Sequence, residues 1–205
     1  MMVLDANQDD ELQIADELAA LQLGCPVIGT ARLLLRPPHR DDIEDIADLA
    51  NNYQVARMLS SMPHPYFAAD AQEFIEKVGR AAAHGCVYAI TEASSGRFMG
   101  VCGLHEDPSR HALPFIGYWL GEPYWGRGYA SEAARALVDL FFKVTDRDQL
   151  LISCRVDNHA SRRIIEKCGA RYWKSGTAYN RALGEMQQLD HYRVTRADWV
   201  AAAAS

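Results

Sequence analysis

Two groups of residues in this chain have the types and spacing to do chemistry. The first is Trp125-Gly126-Arg127-Gly128-Tyr129-Ala130-Ser131. Gly126 and Gly128 carry no Cβ, so backbone N–H groups there can approach an anion closely. A helical pattern follows at once, and its first turn adds unpaired N–H donors and a partial positive charge. Such a turn can cradle a pyrophosphate. By itself it reads equally as a glycine turn before an ordinary helix. It lacks the Gly-Lys-Ser/Thr of a P-loop and the third glycine of the dinucleotide fingerprint.

The second group is Asn158-His159-Ala160-Ser161. Asn158 suits an N-cap, and Ser161 falls on the first helical turn, where its hydroxyl can donate. Standing alone, the pair is a cap and a helix-start serine. Metal chemistry has no comparable pattern. The seven histidines show no HExxH spacing and the five cysteines no CxxC. His105 and His111 flank a loop and could touch a substrate, and Tyr118 and Trp119 read as core aromatics or site residues alike.

The elements around these groups follow from periodicity. Ala31–Arg36 reads as a strand stopped by Pro37-Pro38. Asp41 or Asp42 starts a helix whose Ile43, Ile46, Ala47 and Ala50 share a face, and Gln54–Leu59 is a second helical stretch. Asp70 caps a third helix through Phe74, Ile75, Val78 and Ala81. Strands are expected at Cys86–Thr91, Arg97–Leu104 and Leu113–Leu120, a helix from Ala130 to about Lys143, and a strand at Leu150–Val156. A helix over Asn158–Cys168 ends at Gly169, and strands at Arg171–Ala178 and Leu189–Thr195 follow. Cys102 and Cys154 sit in apolar runs as small buried hydrophobes.

Composition bounds the function. A chain of 205 residues that is 49% hydrophobic can bury a substantial core, and no apolar run approaches the ~20 residues of a membrane helix. The net charge of −6 is local: residues 1–29 hold six acids and no Lys or Arg, and the rest is balanced. This argues against nucleic acid as a partner. The acidic start lacks the regions of a secretory signal, so a cytoplasmic protein is expected. The expected layout is an acidic, helical extension over 1–29, a domain over 30–200 and a tail over 201–205. The stripe Leu12, Ile14, Ala15, Leu18, Leu21 could dock on the body or on a second subunit, which leaves a homodimer open.

A glycine turn and helix, a strand, and then Asn-x-x-Ser opening a helix resemble the GNAT N-acetyltransferase superfamily, and within it the RimJ/RimL-like branch that acetylates ribosomal-protein N-termini. The likeness covers roughly residues 30–195. Trp125 stands where the family motif has Gln or Arg, and Gly126, Arg127, Gly128, Tyr129 and Ala130 follow it. The resemblance implies an α/β fold with a mixed, mainly antiparallel twisted sheet, helices on both faces and a splayed central strand pair. It implies acetyl-CoA as cofactor and a primary amine as acceptor, a protein N-terminus or a small amine. Trp119 and Leu120 would end the strand that pairs with the pantetheine arm. Trp125, Gly126 and Ser131 would belong to the cofactor site, the amides of Arg127, Gly128, Tyr129 and Ala130 would hold the pyrophosphate, Asn158 would bond the pantetheine, and Ser161 would face its sulfur.

Two positions depart from the family. Ile165 stands where many members have a Tyr that protonates the leaving thiolate, and Ser161 takes that role in the RimL-like pattern. Asn180 stands where that pattern has a Glu base, with Glu185 near it in sequence. The expected reaction is direct attack by a neutral amine on the thioester. A non-catalytic acyl-CoA-binding regulator or scaffold is the alternative that Asn180 supports.

Overall fold

Leu33 and Leu35 are fully buried while their neighbours are half-exposed, so β2 (Leu33–Arg36) turns one face to a core. β3 (Gly85–Glu92) and β4 (Phe98–His105) are apolar and buried at almost every position, the mark of strands covered on both faces. In the computed structural model, residues 25–80, 85–106 and 113–203 are described. The expected helix over 12–21 and His111 lie outside them. Among the described residues one eight-stranded sheet runs in the order β1-β2-β3-β4-β5-β6-β8-β7. The other strands are β1 (Ile28–Gly29), β5 (Phe115–Leu120), β6 (Gln149–Arg155), β7 (Arg171–Asn180) and β8 (Glu185–Thr195). β1 pairs with Leu34 and Leu35, so the sheet begins at Ile28, two residues before the expected start.

Helices cover both faces. α1 (Ile43–Ala50), α2 (Tyr53–Ala56) and α3 (Ala68–Arg80) pack Ile46, Ala50, Val55 and Ala71 on Ala89, Phe98 and Val101. α4 (Tyr129–Val144) and α5 (His159–Lys167) take the opposite face. There Ala133, Leu137 and Phe141 of α4 meet Leu33, Ile90, Ile116 and Ile152. α6 (Arg196–Ala203) closes the described chain.

Local chemistry shifts some ends. Asp70 lies inside α3, and its Oδ2 accepts from the Phe67 N–H at 2.8 Å, which makes it the reciprocal half of a capping box and not the cap. Asn52 caps α2 through the Gln54 N–H, so that helix starts at Tyr53 and ends by Ala56. β8 starts at Glu185, four residues before the apolar run that marked it, because a hairpin pairs its exposed half with β7.

All sheet neighbours are antiparallel except β5 and β6. That parallel pair holds at only two positions, Phe115↔Leu151 and Ile116↔Ile152. β5 stays paired with β4 out to Leu120, and β6 with β8 out to Arg155. Each strand follows its antiparallel partner, and the sheet forks between them beyond Ile116 and Ile152. The splay implied by the family likeness is this fork.

Candidate active site

The turn at the open end of the fork is built from glycines that must be glycine. Gly126 has φ +73° and Gly128 φ +82°, the left-handed region that costs other residues roughly 1–2 kcal/mol. Gly128 is the N-cap of α4 and provides no side-chain cap, so the first amides of the helix are left for another acceptor. Gly128, Tyr129, Ala130 and Ser131 therefore present backbone donors at a helix N-terminus, the arrangement an anion needs. Trp125 braces the turn. Its Nε1 donates to the Leu120 carbonyl at 2.7 Å and ties the end of β5 to the glycines.

Arg32 completes this corner, and nothing in its sequence neighbourhood marks it. Its Nη1 donates to the Arg127 carbonyl at 2.9 Å, and its guanidinium lies 4.6 Å above the Tyr129 ring. It also pairs with Glu132 at 2.7 Å. Burial pushes the Glu132 carboxyl up, but hydrogen bonds from Thr30 and Arg32 outweigh it, so Glu132 titrates below the usual range. The acid in the first turn of α4 is thus paired with Arg32 beside the helix N-terminus. A cavity of about 520 Å³ opens here, lined by Arg32, Gly128, Ser131, Arg135 and Lys167 among others.

The second motif closes the fork from the other side. Asn158 caps α5 by accepting the Ser161 N–H at 3.0 Å. Ser161 Oγ then lies 2.9 Å from the Tyr118 hydroxyl, which reaches across from β5. Burial pushes the Tyr118 phenol far above its ordinary range, so it stays protonated and able to donate. Cys154 of β6 faces the same spot, and burial pushes its thiol up to about 11, which keeps it from acting as a thiolate nucleophile at neutral pH. Ile165 is fully buried core.

Tyr118 and Leu120 turn toward the α4 face, while Trp119 turns to the α1–α3 face, with its ring 6.3 Å from Phe98. The sequence-predicted residues therefore divide. Trp125 through Ser131 form the mouth, and Asn158 and Ser161 form one wall with Tyr118. Leu120 anchors the turn, and Trp119 points through to the other face.

Asn180 is a structural residue. It is 1% exposed, its Nδ2 donates to the Arg57 carbonyl at 2.9 Å, and its Oδ1 accepts from the Leu183 N–H at 2.9 Å. Arg155 Nη1 donates to the same Arg57 carbonyl at 2.9 Å. Glu185 pairs with Asn180 at the tip of the β7–β8 hairpin and bonds Gln187. Asn180 is thereby held by two backbone groups and Glu185 by its neighbour on the hairpin.

A sheet forked at its one parallel pair, with a helix N-terminus and a left-handed glycine turn at the mouth, defines the acyltransferase class of fold. The chain belongs to the GNAT acetyltransferase family: the acetyltransferase (GNAT) domain profile matches residues 32–171. It is 33% identical to the uncharacterized protein YkkB of Bacillus subtilis over 98 residues, 47% of this chain and 57% of that protein. It is 37% identical to the ribosomal-protein-serine acetyltransferase of Escherichia coli over 71 residues, 35% of this chain and 40% of that one. The chain thus spans about half the length of these two relatives. Among solved structures, RimJ of Mycobacterium smegmatis in complex with CoA-disulfide superposes with a TM-score of 0.69 at 18% identity, over 83% of this chain and 89% of that one. No helix among the described residues is long and apolar enough to cross a membrane.

Proposed function

We propose that the chain transfers an acetyl group from acetyl-CoA to a primary amine, with peptide or protein N-terminal α-amines as the preferred acceptors. One observation carries this reading: the fork between β5 and β6 opens beneath a left-handed glycine turn that leaves helix amides unpaired. Acetyl-CoA supplies the activated thioester carbon. The amides from Arg127 to Ser131 hold its pyrophosphate, and Arg135 and Lys167 add positive charge beside them, partly offset by Asp139. The free edge of β5 beyond Ile116 and the Asn158 amide align the pantetheine arm. A backbone N–H of that edge steadies the developing oxyanion. Ser161 gives a proton toward the departing sulfur while the Tyr118 hydroxyl behind it passes its own proton to Ser161, and Tyr118 regains a proton from solvent as CoA leaves.

The acceptor class follows from proton work. At pH 7.5 an α-amine of pKa ~7.8 is about one third neutral, whereas a lysine amine near ~10.4 is about 0.1% neutral. Asn180, committed to two backbone groups, cannot strip a lysine ammonium. The ribosomal-protein-serine acetyltransferase among the relatives lends support to a protein acceptor. Calorimetry with CoA, followed by acetyl transfer to N-terminal peptides, lysine peptides, polyamines and aminoglycosides, tests the reading. N-terminal peptides are expected to react fastest. CoA binding without transfer to any amine would make the chain an acyl-CoA-binding regulator instead.

A further inference from the structure

The face of the sheet opposite α4 and α5 carries a row of residues that the donor site does not use. Cross-strand pairing puts Gly103 of β4 beside Gly117 of β5, and Ser153 of β6 beside His191 of β8. Gly117 and Ser153 are the first residues past the last paired positions of the fork, so the row crosses the fork at its apex. Strand alternation turns all four away from Ile116 and Ile152, which point into the α4–α5 core. Gly117 is open: a Cβ built there would meet nothing within 4 Å. His105 lies over Gly103, where a Cβ would come within 2.6 Å of its Nε2. At the other end, Ser153 Oγ is 2.7 Å from His191 Nδ1, and a Cβ on Gly176 would come within 2.7 Å of His191 Nε2. Both positions keep a histidine against the sheet by leaving its neighbour bare.

Resting on the function proposed above, we infer that Ser153 and His191 form the proton-accepting pair for the incoming amine. Tyr118 and Cys154, which face Ser161, each adjoin Gly117 and Ser153 in sequence, so leaving-group help on one face and amine on the other meet through the fork. The amine lies on the bare patch at Gly117. As its nitrogen bonds to the acyl carbon, an N–H proton passes to Ser153 Oγ while the Ser153 proton passes to His191 Nδ1. The C–S bond breaks with its electron pair staying on sulfur, and the imidazolium returns its proton to solvent. His191 acts through Ser153 in the tautomer protonated at Nε2.

The pair is testable without turnover. In the free protein, ¹⁵N spectra at neutral pH should show His191 Nδ1 unprotonated, and Ser153→Ala should shift that resonance. A His191 protonated at Nδ1 would overturn the inference. In turnover, His191→Asn keeps a partner for Ser153 that cannot take a proton. It should lower kcat/KM about 100-fold, within the ordinary range for general-base catalysis, and leave CoA affinity unchanged. The wild-type acid limb in the region between about pH 5 and 8 should weaken in this variant. Among the described residues, Lys174 across β7 and Arg193 along β8 are charged groups on the same face as His191, and both are present in the two proteins. Ser153→Ala carries the same test if His191→Asn fails to fold. Full kcat/KM in either folded variant would overturn this pair while leaving acetyl transfer standing. A wild-type chain that binds CoA and acetylates no amine would remove both readings.

Discussion

The hydroxyls of Tyr118 and Ser161 lie 2.9 Å apart across the fork, one on β5 and one on α5. Two protonated oxygens in a row make a relay, because the second can replace the proton the first gives away. Ser161→Ala is expected to lower kcat by ~10- to 100-fold, the low end of general-acid effects, since a thiol of pKa ~8.5 is already a fair leaving group. Tyr118→Phe should cost less, and the double variant should be no slower than Ser161→Ala, because groups acting as a unit are not additive. The check is single-turnover kinetics. Full rate in Ser161→Ala, or additive losses in the double variant, would contradict the relay.

Gly128 separates donor binding from backbone strain. An alanine there keeps a left-handed φ and sets its methyl 3.3 Å from Arg32 Nη2, where the proposed reading puts the pyrophosphate. Gly184, in the β7–β8 turn, has φ +71° and no atom nearer than 4.0 Å to a built Cβ. Both alanine variants should lose stability comparably, by roughly 1–2 kcal/mol. Only Gly128→Ala should also lose CoA affinity, by at least tenfold or about 1.4 kcal/mol. Urea melts and calorimetry on the two proteins decide it, and equal CoA affinities would clear the turn of any part in binding.

The sheet, the helices and the glycine mouth were legible because each rests on local pattern. Leu33 and Leu35 alternate, Ala133, Leu137 and Phe141 keep helical spacing, and Gly126 and Gly128 sit where only a tight turn fits. The rest needed three-dimensional register. Arg32 joins Arg127 and Glu132 from about 100 positions away, and Ser153 meets His191 only because β6 lies on β8. Tyr118 reads as an ordinary aromatic until β5 is known to turn it toward Ser161. Asn180 stands where the family pattern has a Glu base, and what its side chain does there, bonding two backbone groups, is visible only in three dimensions. No periodicity carries that information.

Asn180→Ala should therefore act on stability and hardly on chemistry. Removing the side chain leaves the Leu183 N–H without its acceptor, while Arg155 still serves the Arg57 carbonyl. A loss of ~1–3 kcal/mol is expected for a buried polar group stripped of its partner. The measurement is the urea midpoint, with kcat/KM of the folded variant within about threefold of wild type as the second readout, since general-base loss would cost ~10²-fold or more. A large kinetic defect in a stable Asn180→Ala protein would return this residue to the site.

Asp42 sets an acid limit on the fold. Its carboxylate accepts from Arg36 at 2.6 and 2.8 Å and from the His39 N–H at 2.7 Å. Burial pushes its pKa up, but Arg36 and His39 together overcome this and hold it below the usual range. A depressed folded pKa stabilises the protein above the unfolded value of ~3.9, and that contribution disappears as pH falls through the folded value. Asp42→Asn should lower the urea midpoint at pH 7 by the equivalent of ~1–3 kcal/mol, with Arg36 still partly solvated. The gap between the two proteins should close in strong acid. A gap that is constant from pH 7 downward would show that the charge of Asp42 does not matter.

The carbonyl of Arg57 takes hydrogen bonds from Asn180 and Arg155, so α2, the end of β6 and the β7–β8 turn share one anchor. Under the proposed reaction this anchor lies on the amine side, and its hydrogen bonds among the described residues run to Asn180 and Arg155 and not to the glycine mouth. The two halves of the enzyme can therefore evolve separately. Substitutions around Gly117, Trp119 or Gly176 can retune which amine is admitted while the donor corner at Arg32 and Gly128 is inherited intact. A lineage built on this scaffold would diversify in its acceptors and keep one acetyl donor throughout.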